Sequence, residues 1–265
     1  MTRLACKLSV AIIARNEEAR IGDCLESVRW ADEIVVVDTG SVDRTVEICH
    51  KYTPHVVSRP WDGYAPAKNA ALQLASGDWI LSLDADERIS DALRQEIAAL
   101  QHRPLETLAA GYAMPRRNYL WGRWLRYGGL FPDYQLRLFK RGLGGFKARR
   151  VHESIVVDGR IERLQHPIQH YSYQGISDVV QRLQHYADLA ALDLRDQGQP
   201  GRISALIMRP IGRFLRNYVL KQGFRDGIPG LIMAVSYAYS VFVREVKLWE
   251  KTQSHEIGPQ APSVQ

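Results

Sequence analysis

Three short apolar runs in the first ninety residues end at Asn16-Glu17, Asp38 and Asp84, and this repeat constrains the chain more than any other feature. Leu8–Ala14 is bounded by polar residues, as expected of a strand buried on both faces. Glu33–Val37 is β-branched and stops at Asp38, followed by the turn Thr39-Gly40-Ser41. Trp79–Leu83 runs straight into Asp84. Helical signals lie between the runs. Ile21, Cys24, Leu25 and Val28 form one stripe; Val42, Val46 and Cys49 suggest a second helix; Pro66–Ala75 is Ala-rich. A short strand is expected at His55–Ser58, and Ser90 opens a helix through Leu100. Strand–helix alternation of this kind predicts an α/β fold with a parallel, doubly wound sheet. Ligands of such sheets bind beyond the carboxyl ends of the strands, where these polar residues would gather.

After Arg103-Pro104 the pattern changes. Gly111–Arg117, Gln135–Lys140 and Ser154–Val157 read as strands joined by Gly-rich and aromatic connections, a mixed extension of the sheet. Ser177–Gln197 reads as an amphipathic helix, broken by Gly198-Gln199-Pro200-Gly201. We therefore expect a catalytic domain over 1–198 and a basic, partly apolar helical extension over 199–265.

Asp84 and Asp86, two apart at a strand end, are hard oxygen ligands suited to Mg²⁺ or Mn²⁺ bridging phosphate oxygens, if they are not simply an acidic turn. Such an ion stabilises a departing diphosphate. Glu87 extends the cluster as a supporting group or a helix N-terminal charge. Asn16 and Glu17 can hydrogen-bond a nucleoside. Asp38 can accept from a base N–H or a ribose hydroxyl, although turn and cap chemistry explains Asp38, Ser41 and Asp43 equally well. As an isolated pair Lys68-Asn69 reads as solvated helix surface, and Arg137 is placed to pair with a phosphate or a carboxylate.

The blocks Leu8–Glu18 (LSVAIIARNEE), Glu33–Thr45 (EIVVVDTGSVDRT) and Gly77–Glu87 (GDWILSLDADE) closely resemble family 2 glycosyltransferases of the GT-A fold. The similarity continues through Gln135–Lys140, Val151-His152-Glu153 and His170–Tyr173, and spans residues 7–250. Within the family the chain looks like the bacterial branch containing lipopolysaccharide core β-1,4-glucosyltransferases that modify inner-core heptose. The resemblance implies a UDP-hexose donor, UDP-glucose foremost, and a lipid-linked glycan acceptor. It implies Asp38 at the base, Asn16 and Glu17 lining the nucleoside pocket, Lys68 near the diphosphate, Asp84 near the ribose and Asp86 on the metal. His170 resembles the histidine that completes metal ligation. An inverting transfer also needs a carboxylate beside the acceptor hydroxyl. Order and spacing favour Glu153, after the Gly128-Gly129-Leu130-Phe131 acceptor-type loop, with Asp133 in reserve.

The +6 net charge is uneven: Gly201–Lys251 holds nine Lys or Arg against Asp226, Glu245 and Glu250. Arg209, Arg213, Arg216, Lys221 and Arg225 accompany Ile207, Ile211, Phe214, Leu215 and Tyr218, a basic amphipathic helix suited to anionic lipid. No nucleic-acid partner is expected. Gly227–Val243 is uncharged over 17 residues, short for a span, and reads as a packed or interfacial helix. After Arg3 and Lys7 the first run has the look of a small signal peptide, but Arg15-Asn16-Glu17-Glu18 replaces a cleavage site. Cys6, Cys24 and Cys49 form no CxxC pair and read as thiols of a reducing compartment. The expected location is therefore the cytoplasm, at the cytoplasmic face of the inner membrane. Two rivals are a nucleotidyltransferase, whose Gly- and Arg/Lys-rich loop is absent from Ile13–Arg20, and a non-catalytic nucleotide-sugar-binding scaffold on the membrane.

Overall fold

The computed structural model describes residues 6–147, 154–173 and 175–253. The chain separates into two compact units: Met1–Tyr119 with Phe131–Ser172, and Leu120–Leu130 with Tyr173–Gln265. The sequence break at Gly198 lies inside the second unit, between two of its helices.

The first unit opens with β1 (Leu8–Ala14), α1 (Ile21–Ser27), β2 (Glu33–Asp38), α2 (Thr45–Cys49), β3 (Val56–Ser58), α3 (Tyr64–Leu74) and β4 (Trp79–Asp84). These strands are parallel, with β1 between β2 and β4 and with β3 outside β2. Register sets Ala14 opposite Asp38 and Ile13 opposite Asp84, so three strand ends are level, as the sequence predicts. The chain continues through β5 (Glu87–Ile89) and α4 (Asp91–Gln101), where Ser90 caps the helix by accepting from the Leu93 N–H. It then adds β6 (Gly111–Leu120), β7 (Arg123–Leu125), β8 (Asp133–Lys140), β9 (Gly144–Lys147), β10 (Ser154–Val157), β11 (Ile161–Arg163) and β12 (Ile168–Tyr173). The sheet order is β3-β2-β1-β4-β8-β6-β12-β5, with β8 antiparallel to both β4 and β6. β9 and β10 form a separate antiparallel ribbon.

Both faces of the parallel half are covered, which is why its strands read as near-continuous apolar runs. Leu8, Val10 and Ile12 join Trp79, Leu81 and Leu83 beneath Ile21 and Leu25 of α1 and Leu93 and Ile97 of α4. Ala11, Val37 and Ile80 face the other way, onto Ala71 and Leu72 of α3 and onto Phe139 and Phe146.

The second unit is built on α5 (Ile176–Asp196), α6 (Ile203–Leu215) and α7 (Ile228–Gln253). Val179, Leu183 and Met233 pack with Leu120 and Leu125 in its core. Among the described residues no helix is long and apolar enough to cross a membrane. The 127–130 segment is held by backbone contacts to the α6–α7 connection: Gly128 N–H donates to Lys221 O (2.9 Å) and Tyr127 N–H to an Asp226 carboxylate oxygen (2.8 Å). The Arg225 guanidinium lies 4.3 Å from the Tyr127 ring centroid. Glycines keep the connection itself tight. A Cβ on Gly230 would meet Gly223 O at 2.0 Å, and one on Gly223 would meet Asn217 O at 2.8 Å.

Gly230→Ala is therefore expected to destabilise the protein by about 1–3 kcal/mol through overpacking against backbone. Gly212→Ala in α6, where an added Cβ meets nothing within 4 Å, should be neutral or stabilising by up to about 1 kcal/mol. Urea unfolding of the two variants checks the contrast.

Candidate active site

Asp84 closes β4, and its carboxylate is clamped between two cations. Lys68 Nζ, from α3, lies 2.6 Å from Oδ1, and Arg137 Nη2, from β8, lies 2.5 Å from Oδ2. The same Arg137 nitrogen donates to Glu87 Oε1 at 2.7 Å, and Glu87 is fully buried. The other Glu87 oxygen accepts the Asp84 N–H at 3.1 Å. Burial pushes the Asp84 carboxyl up, but the Arg137 guanidinium and the Lys68 ammonium outweigh it and hold it well below the usual carboxylate range. Lys68-Asn69 is thus not solvated surface: Asn69 brackets Phe146 by donating to its O (2.9 Å) and accepting from its N–H (2.8 Å). Cys24 is buried against the same carboxylates; burial, then Glu87, Asp86 and Asp84, push its thiol well above the ordinary value and leave it unreactive.

Asp86 has different partners, because β4 ends at Asp84 and a two-residue turn leads into β5. Strand periodicity, which would put both carboxylates on one side, does not apply across that turn. His170 Nε2 approaches Asp86 Oδ1 at 3.4 Å, and Arg20 Nη1 is 4.0 Å from Oδ2. β12 brings His170 here by pairing antiparallel with β5, His170 opposite Glu87. The other ring nitrogen, Nδ1, is 2.7 Å from Asn118 Oδ1. That oxygen only accepts, so Nδ1 carries a proton towards it, and the bond turns Nε2 to Asp86. Burial pushes the Asp86 carboxyl up, yet His170, and more weakly Arg20, bring it below its ordinary value against the opposing charge of Asp84.

These donors fit a divalent ion. Two adjacent ligands of an octahedral ion with bonds of about 2.1 Å stand about 3 Å apart, close to the Asp86–His170 separation. Imidazole and carboxylate, completed by phosphate and water oxygens, make a normal donor set for such an ion. Among the described residues no group of three or more His, Cys, Asp or Glu forms a complete protein-only metal cage.

At the level ends of β1 and β2, Asn16 and Asp38 knit two loops. Asn16, at φ 55°, accepts the Val42 N–H at 2.9 Å and donates its own N–H to Ser41 Oγ at 2.9 Å. The buried Asp38 carboxylate accepts from the Gly40 and Ser41 N–H groups. Glu17 accepts from Arg20 Nε at 2.8 Å, which links it through Arg20 to Asp86, and its N–H donates to Thr45 Oγ1. Asp133 takes Arg116 at 2.7 Å on one oxygen and Gln135 at 2.8 Å on the other. Glu153 lies outside the described residues. The geometry thus joins Glu17, Asp86 and His170 around Arg20, and Lys68, Asp84, Glu87 and Asp133 through Arg137 and Arg116. Arg20, Arg116 and Asn118 carry no local sequence signal. Only their partners, distant along the chain, identify them.

Known proteins resemble the chain in sequence and in fold. Residues 9–151 match the model of the family described as "Glycosyl transferase family 2". A lipopolysaccharide core biosynthesis glycosyltransferase, LpsC, of Rhizobium meliloti is 32% identical, with 92% of each chain covered. A glycosyltransferase of Rickettsia bellii is 30% identical over 93% of this chain and 87% of its own. Among solved structures, a mannosyltransferase of Pyrobaculum calidifontis in complex with GDP-mannose and Mn²⁺ shares the fold, with a TM-score of 0.56 at 16% identity, covering 94% of this chain and 89% of that one.

Replacing Arg137 with Leu strips the fully buried Glu87 of its nearest cation and leaves Asp84 with Lys68 alone, and should cost about 3–5 kcal/mol in denaturant unfolding. Asp84 contributes in the opposite pH sense to a cation: with its folded pKa below the unfolded value, its stabilisation is complete above about pH 4 and is lost as pH falls through the folded pKa. The acid limb of wild-type stability should therefore be steeper than that of Asp84→Asn, measured by unfolding from pH 7 downwards.

Proposed function

The chain belongs to glycosyl transferase family 2 and has an α/β fold of GT-A type, and from that premise we propose an inverting, metal-dependent hexosyltransferase. The donor is a UDP-hexose, UDP-glucose foremost. The acceptor is a sugar hydroxyl of a lipid-linked glycan, and the likeness to LpsC directs us to the lipopolysaccharide core, with inner-core heptose as its sugar. The enzyme works at the anionic cytoplasmic face of the inner membrane.

The observation that carries the reading is the Asp86–His170 pair, with the imidazole oriented by Asn118. Asp86 and His170 would hold Mg²⁺ or Mn²⁺, which when bound neutralises charge on the departing diphosphate. Asp84, fixed by Lys68 and Arg137, presents an ionised acceptor for ribose hydroxyls at the strand end. The Asn16–Val42 and Asp38–Ser41 ties shape the loops that receive the base. Arg20 places positive charge beside Asp86, where phosphate oxygens would collect. Glu153 takes the proton of the acceptor hydroxyl; that oxygen bonds to the anomeric carbon as the bond to UDP breaks on the opposite face. Asp133, saturated by Arg116 and Gln135, is the weaker candidate for this task.

Purified protein assayed against UDP-sugars with Mn²⁺ and a core-glycan acceptor should release UDP, and EDTA should abolish the release. Asp86→Ala should lose it too; donor turnover that survives this substitution overturns the metal role. Asn118→Ala should raise the Mn²⁺ requirement about 10–100-fold. Glu153→Gln should lower kcat by about 10²–10⁴-fold, and unaltered transfer would return the role of base to Asp133.

A further inference from the structure

α6 is amphipathic in the reverse sense from an ordinary surface helix. Ile203, Ile207, Ile211 and Leu215 follow one another at i, i+4 spacing with Met208 beside them, and each is between 48% and 68% exposed. The charges that its sequence assigns to the wet face are drawn towards α7. Arg209 Nη1 binds the buried Glu245 at 2.8 Å, and the Arg213 guanidinium lies 5.5 Å from the Tyr237 ring centroid. The exposed ridge continues past the helix into Val219 and Leu220, the latter 77% exposed. A continuous apolar ridge of this size needs an occupant.

The charge around the ridge identifies the occupant. Arg202, Arg216, Lys221 and Arg225 are exposed at its two ends. Between Gln197 and Val243 the only acidic residue is Asp226, and its carboxylate is engaged by the Tyr127 N–H. A second copy of the chain placed symmetrically on this face would set like charges against each other. An anionic bilayer satisfies both features: basic residues meet headgroups while the aliphatic side chains enter the acyl boundary.

We propose that the α6 ridge inserts into the interface of an anionic membrane, with Ile207 and Ile211 at its centre and with Arg202, Arg216, Lys221 and Arg225 on the headgroups. This deepens the transferase reading by naming the face, and the force, that bring the enzyme to a lipid-linked acceptor. The main attraction is apolar insertion and the basic residues add selectivity, the reverse of what a helix with five outward cations would do.

The test is sedimentation of the full chain with phosphatidylcholine vesicles with and without phosphatidylglycerol, at low and high salt, alongside UDP binding. Wild type should partition onto the anionic vesicles and keep a measurable part of that binding at high salt. The double variant Ile207→Ser/Ile211→Ser should lose at least about tenfold in partition coefficient on both vesicle types. Arg202→Gln/Lys221→Gln should lose about fivefold per charge on anionic vesicles alone. UDP binding should be unchanged in both variants. A wild type that ignores vesicles, serine variants that partition normally, or a wild-type dimer that the serine substitutions dissolve would each overturn the docking proposal. Vesicle binding without UDP binding would leave docking intact and remove the transferase reading instead.

Discussion

The Arg137 guanidinium, buried between Asp84 and Glu87, is the contact on which the rest of the site depends. It fastens β8 to the end of β4, and the Glu87 carboxylate it neutralises also takes the Asp84 N–H, which closes the turn between β4 and β5. Removing the Glu87 carboxylate from water costs several kcal/mol unless it is paired, so this arrangement requires a cation that cannot lose its proton. The turn leaves Asp86 directed at His170 while Asp84 is directed at Lys68. One Asp-Ala-Asp segment thus presents two differently partnered carboxylates, which the proposed function uses separately.

The strand ends were legible in the sequence for a clear physical reason. Strands covered on both faces need uninterrupted apolar runs, and Leu8–Ala14, Val35–Val37 and Trp79–Leu83 supply them, each stopping where solvent and ligand begin. The pairing of Asp86 with His170 was legible only through family resemblance, since β5 is three residues long and β12 (IQHYSY) has too little apolar character to read as a buried strand. Arg20, Arg116 and Asn118 act through partners 66, 17 and 52 positions away respectively, separations that no local pattern encodes.

The C-terminal helices show the limit of patterning most clearly. Arg209 and Arg213 fall beside apolar residues at spacings that read as a wet basic face. Their true partners, Glu245 and Tyr237, lie on another helix, so inward and outward faces exchange roles. In the same unit the Tyr127–Gly128 segment rests on the 221–226 connection, with Gly128 against Gly223, so this loop and the C-terminal helices belong to one compact body.

The central claim is that Asp86 and His170 together make nucleotide binding depend on a divalent ion. Calorimetric titration of UDP into the protein, with Mn²⁺ and then with EDTA, tests it most directly. The account predicts tight binding with Mn²⁺, binding weakened at least about tenfold without it, and no difference between the two conditions in Asp86→Ala. Equal UDP affinity in Mn²⁺ and EDTA for the wild-type protein would contradict it.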